Sequence, residues 1–301
     1  MKVFVAGGTG VIGRRLVPLL VARGHEVTAT TTSASKLGAL EGQGAKGVVM
    51  DGLDAMSVGE AVASARPDVI VHQMTSIPQQ LDIKHPERSF AQTNRLRTEG
   101  IDHLIAAAQA AGVPHLVAQS YASWNGIREG GWIKDENDPL DPEHVANSGL
   151  SHIEEAVLPF GGAVLRYGWL YGPGASDGLV GPVRKRQFPL AGSGAGHTSW
   201  VHVDDAATAT VLAVEQKATG VYNIVDDDPA PVSQWLPYLA EKVGAKAPLR
   251  VPSWLVKPLA GEFVVWMMTQ GRAFSNAKAK RELGWDLQFP SWRQGFAEGL
   301  D

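Results

Sequence analysis

Three glycines at three-residue spacing, Gly7, Gly10 and Gly13, follow the apolar run Val3, Phe4, Val5 and open a periodic segment. A buried strand that ends in such a turn and enters a helix makes a phosphate cradle. The first glycine takes the tight turn, the second lets backbone N–H groups approach a pyrophosphate, and the third lets the helix lie close on the strand. Thr9, Val11 and Ile12 lie between them and belong to the same cradle. Elsewhere the nine histidines show no metal-ligand spacing with nearby carboxylates, so no metal centre is expected.

To position those glycines the chain must alternate strands with helices, and it does. Residues 11–23 place Ile12, Leu16, Leu19 and Leu20 on one helical face. Strands are expected at 26–30, 47–50, 68–72 and 115–118, with helices at 36–41, 58–65 and one long helix over 89–111. This order predicts an α/β fold, a Rossmann-type doubly wound parallel sheet with ligands at the carboxyl ends of its strands. The second half is less regular. It reads as a helix at 148–157, a strand at 163–166, a loop-rich passage over 172–196, a strand at 200–203 and a helix at 204–215. A strand at 221–225 and helices at 233–243, 275–283 and 291–299 follow, the three helices opening on Ser233, Ser275 and Ser291 as N-caps. These elements divide into a Rossmann domain, 1–168 with about 200–226 returning to it, and a smaller C-terminal substrate-binding region, 169–199 with 227–301.

Composition narrows the function classes. With 301 residues and 44% hydrophobic content the chain can bury a large core. A net charge of -4 without a basic block argues against nucleic acid and anionic membranes as partners. The absence of cysteine excludes disulfides and thiol catalysis. The most lipid-like stretch, 255–268, is interrupted by Lys257, Pro258, Gly261 and Glu262 and reads as a pocket or packing segment. With Met1 leading straight into the first strand, no signal peptide is expected, and the expectation is a cytoplasmic monomer or homodimer acting on a small molecule.

Further signals stand in a familiar order: Asp51 after strand three, His72 ending strand four, Asn94 in the long helix, LRYGWLYGP at 165–173, VHVDD at 201–205, VYNI at 221–224 and AKRELGW at 279–285. With the glycine turn, this series resembles the extended short-chain dehydrogenases/reductases, the group that includes the NAD-dependent epimerase/dehydratases. The resemblance spans nearly the whole chain.

That resemblance implies a Tyr and a Lys four residues later on one helical face, the Lys lowering the Tyr pKa and the Tyr exchanging a proton with the substrate. This chain departs from it. Matching Glu155 to the family's following Glu puts Asn147 and Ser151 at those positions; a register shifted by one gives Ala146 and Leu150. Tyr121 falls where the family places a Ser or Thr beside the substrate oxygen. It either delivers a phenolic proton, with Ser120 as partner, or fills the vacated space. His152 is a further catalytic candidate, imidazole being a common general acid or base.

For the cofactor, the resemblance implies an acidic residue after strand two in NAD-specific members. Thr31, Thr32, Ser33 and Lys36 stand there instead, with Arg14 just beyond the third glycine, so NADP(H) is preferred and NAD(H) possible. Asp51 with Gly52 is expected at the adenine, Met74 and Thr75 along the adenosine or ribose side, and Asn94, Ser120 and Tyr167 elsewhere in the cofactor site. The arginine that often precedes VHVDD in nucleotide-sugar enzymes is absent. Trp124, Trp132, Trp169, Phe188 and Trp200 are expected to rim a pocket for a flat or apolar substrate. The sequence therefore points to an NADPH-dependent reductase of a hydrophobic carbonyl, imine or activated alkene. The alternatives are a nucleotide-sugar epimerase or dehydratase with a rebuilt acid/base, and a non-catalytic NADP(H)-binding regulatory protein.

Overall fold

A computed structural model describes residues 1–78, 86–122, 130–138 and 148–300. Seven parallel strands form the central sheet: β1 (Lys2–Ala6), β2 (Glu26–Thr31), β3 (Lys46–Val49), β4 (Val69–His72), β5 (Leu116–Tyr121), β6 (Ala163–Tyr167) and β7 (Gly220–Ile224). Their order is β7-β6-β5-β4-β1-β2-β3. Strand order reverses beside β1, which places the glycine turn at the switch point where such sheets take their ligands.

Alternation along each strand builds two cores. Val3 and Val5 face α1 (Gly13–Ala22) and α8 (Val203–Glu215), where Leu16, Leu20, Ala206 and Val214 cover the sheet. Phe4 and Ala6 face the opposite layer of α3 (Ala55–Ala65), α5 (Glu99–Ala111) and α6 (Ser148–Val157), which supply Val58, Leu104 and Ile153. A third core gathers Leu179, Trp200, Trp235, Trp266, Trp292 and Phe296 from later elements.

Four expectations about elements need correction. The single long helix over 89–111 is two, α4 (Pro86–Arg97) and α5, separated at Thr98, whose φ of -104° and ψ of -81° leave the helical region. The acidic first turn of α5, Glu99 and Asp102, favours a new helix N-terminus there. The loop-rich 172–196 passage contains α7 (Asp177–Arg184), whose Leu179 and Val183 face the third core. The 255–268 stretch is the packing segment expected, lying in α10 (Ser253–Gln270, interrupted at Gly261) with Val256, Met267 and Met268 buried in the third core. Finally, α9 (Val232–Lys242) starts on Pro231, so Ser233 lies inside it. Ser291 does cap α12 (Trp292–Glu298), accepting from the Arg293 N–H at 3.1 Å, whereas the N-cap of α11 (Ala277–Leu283) is Asn276 and Ser275 stands one residue outside it, accepting from the Ala277 N–H at 3.3 Å.

Candidate active site

The glycine turn is hung between two strands. Gly7 N–H donates to Thr30 Oγ1 at 3.0 Å, and Gly8 N–H to the Thr30 carbonyl at 2.9 Å. A Cβ on Gly7 would lie 2.7 Å from the Gln73 carbonyl oxygen, and one on Gly13 would lie 2.4 Å from that of Gly7. Neither distance can be met by a real side chain, so spacing and fold demand glycine together. The first turn of α1 carries no acid, and Ile12 at its N-cap supplies no capping side chain. The Arg14 and Arg15 N–H groups already donate to the Gly10 and Ile12 carbonyls at 3.0 and 2.9 Å, so the dipole and the N–H groups ahead of Arg14 are what this turn offers an anion. Ile12 is itself buried in the first core and Val11 is half-buried.

Beside the turn lies a cavity of about 190 Å³ lined by Thr9, Arg14, Lys36, Ala39, Leu40 and Gln43. Three of the cofactor residues expected from sequence thus converge, two of them cations, and no carboxylate lines the space. The hydroxyls divide differently from expectation. Thr31 is buried, with its Oγ1 accepting from Thr9 Oγ1 at 3.4 Å and from the Ser33 N–H at 3.3 Å, so it shapes the wall from behind. Ser33 Oγ meets Ser35 Oγ at 2.8 Å, and Thr32 is exposed outside the lining.

Asp51 is exposed at the end of β3, where its Oδ1 accepts from the Leu53 N–H at 2.9 Å. A Cβ on Gly52 would fall 2.5 Å from Met74 Sδ. Met74 is consequently packed into the second core against Gly52, while Thr75 is exposed. Tyr167 is also displaced from its expected role as a cofactor contact. Its hydroxyl accepts from Gln73 Nε2 at 2.8 Å and donates to Thr210 Oγ1 at 2.6 Å, Thr210 in turn donating to the Ala206 carbonyl. Burial pushes the Tyr167 phenol up to about 12, and the ring props Gln73 from inside the core.

At the other end of the cleft, β5 ends on Ser120 and Tyr121. Ser120 is buried with no partner for its Oγ, and Tyr121 is half-buried. Of the positions matched to the Tyr/Lys pair, 146 and 147 lie outside the described residues; Leu150 is buried and Ser151 half-buried on α6. His152 is corrected as a catalytic candidate: its Nε2 donates to Asp102 Oδ1 on α5 at 2.8 Å, so the ring faces the neighbouring helix. One residue along a helix is a turn of about 100°, enough to carry it away. The helix is fixed by a buried bidentate pair, Arg166 Nε and Nη2 on β6 donating to Glu154 at 2.7 and 2.8 Å.

Arg97 went unnoticed in the sequence. The last residue of α4 is only 6% exposed; its Nε has no hydrogen-bond partner, and among the described residues no carboxylate pairs with it. Burial lowers its pKa to about 10, partly offset by the nearby Tyr121 phenol. Asn94, one helical turn earlier, has its Oδ1 buried without a partner. A Cβ on Gly149 of α6 would meet Asn94 Oδ1 at 3.1 Å and Arg97 Cβ at 3.4 Å, so this glycine lets α6 close on the polar face of α4. His72, also buried, donates Nε2–H to the Leu96 carbonyl at 3.2 Å and is depressed to about 4 by burial. The missed signal was positional: Thr93, Leu96, Arg97, Gly100, Ile101 and Leu104 are all buried at helical spacing, and one of them is a cation.

The aromatic residues separate by burial. Trp200 is fully buried, stacked 5.0 Å from Trp169 and edge-on to Trp235 at 4.9 Å, and belongs to the third core instead of a pocket rim. Trp169 and Phe188 are half-buried against that core. Trp132, 40% exposed, stacks on His197 at 4.9 Å and carries the Arg272 guanidinium 4.3 Å from its ring. Trp124 lies outside the described residues.

A glycine turn at the switch point of a seven-stranded parallel sheet, with a cation-lined cavity after β2, defines a nicotinamide-dinucleotide-binding oxidoreductase fold of the short-chain dehydrogenase/reductase type. Residues 3–225 match the family described as NAD dependent epimerase/dehydratase. The chain is 44% identical to a 3-diazoavenalumate denitrifying reductase from a Streptomyces species, over 98% of this chain and 99% of that protein. It is 25% identical to 4-hydroxy-2-methyl-3-oxo-4-farnesyl-3,4-dihydroquinoline-1-oxide ketoreductase of Stigmatella aurantiaca, over 100% and 95% of the two chains. The structure of human epimerase family protein SDR39U1 with NADPH superposes with a TM-score of 0.78 at 22% identity, covering 100% of this chain and 99% of that one. This chain belongs to the NAD-dependent epimerase/dehydratase family and is an NAD(P)-dependent oxidoreductase. Among its described residues no helix is long and apolar enough to cross a membrane.

Proposed function

We propose that this protein is an NADPH-dependent reductase of flat, hydrophobic acceptors whose reduction does not require a Tyr/Lys acid. The observation that carries the reading is the contrast within one cleft. The dinucleotide cradle is intact and α6 is firmly held by Glu154 and Arg166, yet α6 offers Leu150 and Ser151 where a lysine would stand. Bound NADPH supplies a hydride. Gly7 to Gly13 and the α1 N-terminus would hold its pyrophosphate, and Arg14, Lys36 and Thr9 its 2′-phosphate.

Acceptors that are electron-poor before any proton arrives suit such a site. Activated alkenes, imines and conjugated carbonyls belong to that class, and so does a diazo group, which exchanges N₂ for a hydride and a proton. The diazo named for the 44% identical relative supports placing this group first, and the ketoreductase supports the carbonyl. Residues 1–168 with about 200–226 would carry the cofactor, and 169–199 with 227–301 the acceptor. Trp132, Trp169 and Phe188 would supply aromatic surface, and the Tyr121 hydroxyl a proton donor. A cytoplasmic monomer or homodimer completes the reading.

The test is to follow NADPH oxidation by the purified protein against aryl diazo compounds, enones, imines and ketones. Turnover of a diazo arene with stoichiometric N₂ release is expected. Tight NADPH binding with silence across the whole panel would favour the regulatory alternative.

A further inference from the structure

A buried cation without an anion is costly even after the surroundings relax. Arg97 is such a cation. Its Cβ lies where Gly149 lets α6 close on α4, and its charge is felt by His72 at the end of β4 and Tyr121 at the end of β5, with no carboxylate partner among the described residues. The uncapped polar atoms around this corner have the same character: Asn94 Oδ1, Ser120 Oγ and His72 Nδ1 are all buried without partners. Four unsatisfied side-chain atoms in a core are hard to explain as packing, because an apolar side chain would serve better there. They are explained by a polar ligand group entering the corner.

The dinucleotide's phosphates are already provided for at the other side of the cleft, by the α1 N-terminus and by Arg14 and Lys36. The group that meets Arg97 must then come from the other reactant. We infer that Arg97 forms an anion-binding subsite for a negatively charged oxygen of the substrate, a phenolate or a carboxylate, beside Tyr121. This inference rests on the reductase reading for the identity of the second reactant.

The charged and titratable neighbours fit an anion. His72, on β4, is held neutral above about pH 4. Tyr121, on β5, presents a phenol. On α6 the residue against this corner is Gly149, the buried Leu150 beside it is apolar, and His152 is turned to Asp102. The α5 acid Glu99 is engaged outside by Arg95 at 2.7 Å. No described carboxylate is positioned to repel the incoming oxygen. Arg97 binds and orients; it is not assigned a proton to move.

The test uses the folded, NADP⁺-saturated protein and three probes of one shape: 4-nitrophenol, 4-nitrobenzoate and nitrobenzene. The colour of 4-nitrophenol reports its ionisation directly. Wild-type protein is expected to bind it as the phenolate, with the pKa of the bound probe lowered. Arg97→Met should weaken phenolate or benzoate binding roughly 10- to 100-fold, whereas Arg97→Lys should retain most of it. Whichever anion loses more identifies the oxygen type. Nitrobenzene and NADP⁺ affinities should be the same in all three proteins.

Binding of neutral nitrophenol by the wild type would overturn the inference, as would an affinity for both anions unchanged by Arg97→Met. A parallel loss of nitrobenzene in that variant would assign Arg97 to packing and equally overturn it. An Arg97-dependent anion site in a protein that fails to oxidise NADPH with any acceptor of the panel would instead remove the reductase reading and leave the subsite standing.

Discussion

Arg14 and Lys36 are 22 positions apart in sequence and line one cavity, which Thr9 shares. Charge-assisted hydrogen bonds to a phosphate are the strong ones, and where NADP carries a 2′-phosphate NAD carries a neutral hydroxyl. The double substitution Arg14→Gln with Lys36→Gln is therefore expected to weaken NADPH binding by roughly 10- to 100-fold while leaving NADH affinity nearly unchanged; titrating both cofactors decides it. Tyr121→Phe should lower turnover by about 10² if the phenol acts as general acid, with NADPH affinity unaltered. An unchanged rate would make it a space-filling ring. The glycines of this site were legible because their spacing answers to backbone contacts: a Cβ on Gly7 or Gly13 would fall within 3 Å of a carbonyl oxygen, and one on Gly10 would lie 3.3 Å from that of Gly7. Arg97 was not, since a charge inside an amphipathic stripe looks like a solvated position until burial is known. His152 misled for a related reason: its chemistry was readable, but the direction of its ring depends on α5, which supplies Asp102.

Helices and strands tell the same story one level up. Periodicity found the sheet, because the strands of both cores alternate or run continuously apolar and cannot be satisfied otherwise. It merged α4 with α5, because Thr98 carries no proline or glycine to mark the break; its hydroxyl donates to the Asn94 carbonyl at 3.0 Å, a local choice invisible to a hydrophobic pattern. The separation matters, since α4 ends on Arg97 over the cleft while α5 turns to the sheet. The α6 element depends on Glu154 and Arg166, both largely buried. Glu154→Ala leaves Arg166 buried without its carboxylate and should cost about 3 kcal/mol of folding stability; chemical denaturation at neutral pH measures it. A loss within error would mean that α6 is held by Leu150, Ile153 and Val157 alone.

For the molecule as a whole, buried histidines set one direction of pH dependence. The His72 pKa falls from 6.5 to about 4 on folding. Between those values the unfolded chain binds more protons, so this contribution is complete above pH 6.5 and is lost as pH falls toward 4. His115 and His202 are lowered in the same direction by burial. Asp205 and Asp226 are raised by burial and oppose them, their folded forms holding protons longer as pH rises. Comparing wild type with His72→Gln isolates one contribution: the difference in unfolding free energy should fall by roughly 3 kcal/mol between pH 6.5 and 4. A flat difference would show that folding leaves the pKa of the ring unlowered.

The placement of the glycine turn has a kinetic consequence as well. Its walls come from Thr30, on β2, and from Gln73, just beyond β4, so the cradle is complete only after the chain has closed a long loop to pair β1 with β4. Local helices such as α1 and α8 can form before that event, whereas closure of distant strands is slow. In refolding, recovery of dinucleotide binding should lag behind recovery of helical signal. Monitoring both in one stopped-flow experiment makes cofactor capture a clock for assembly of the sheet's centre.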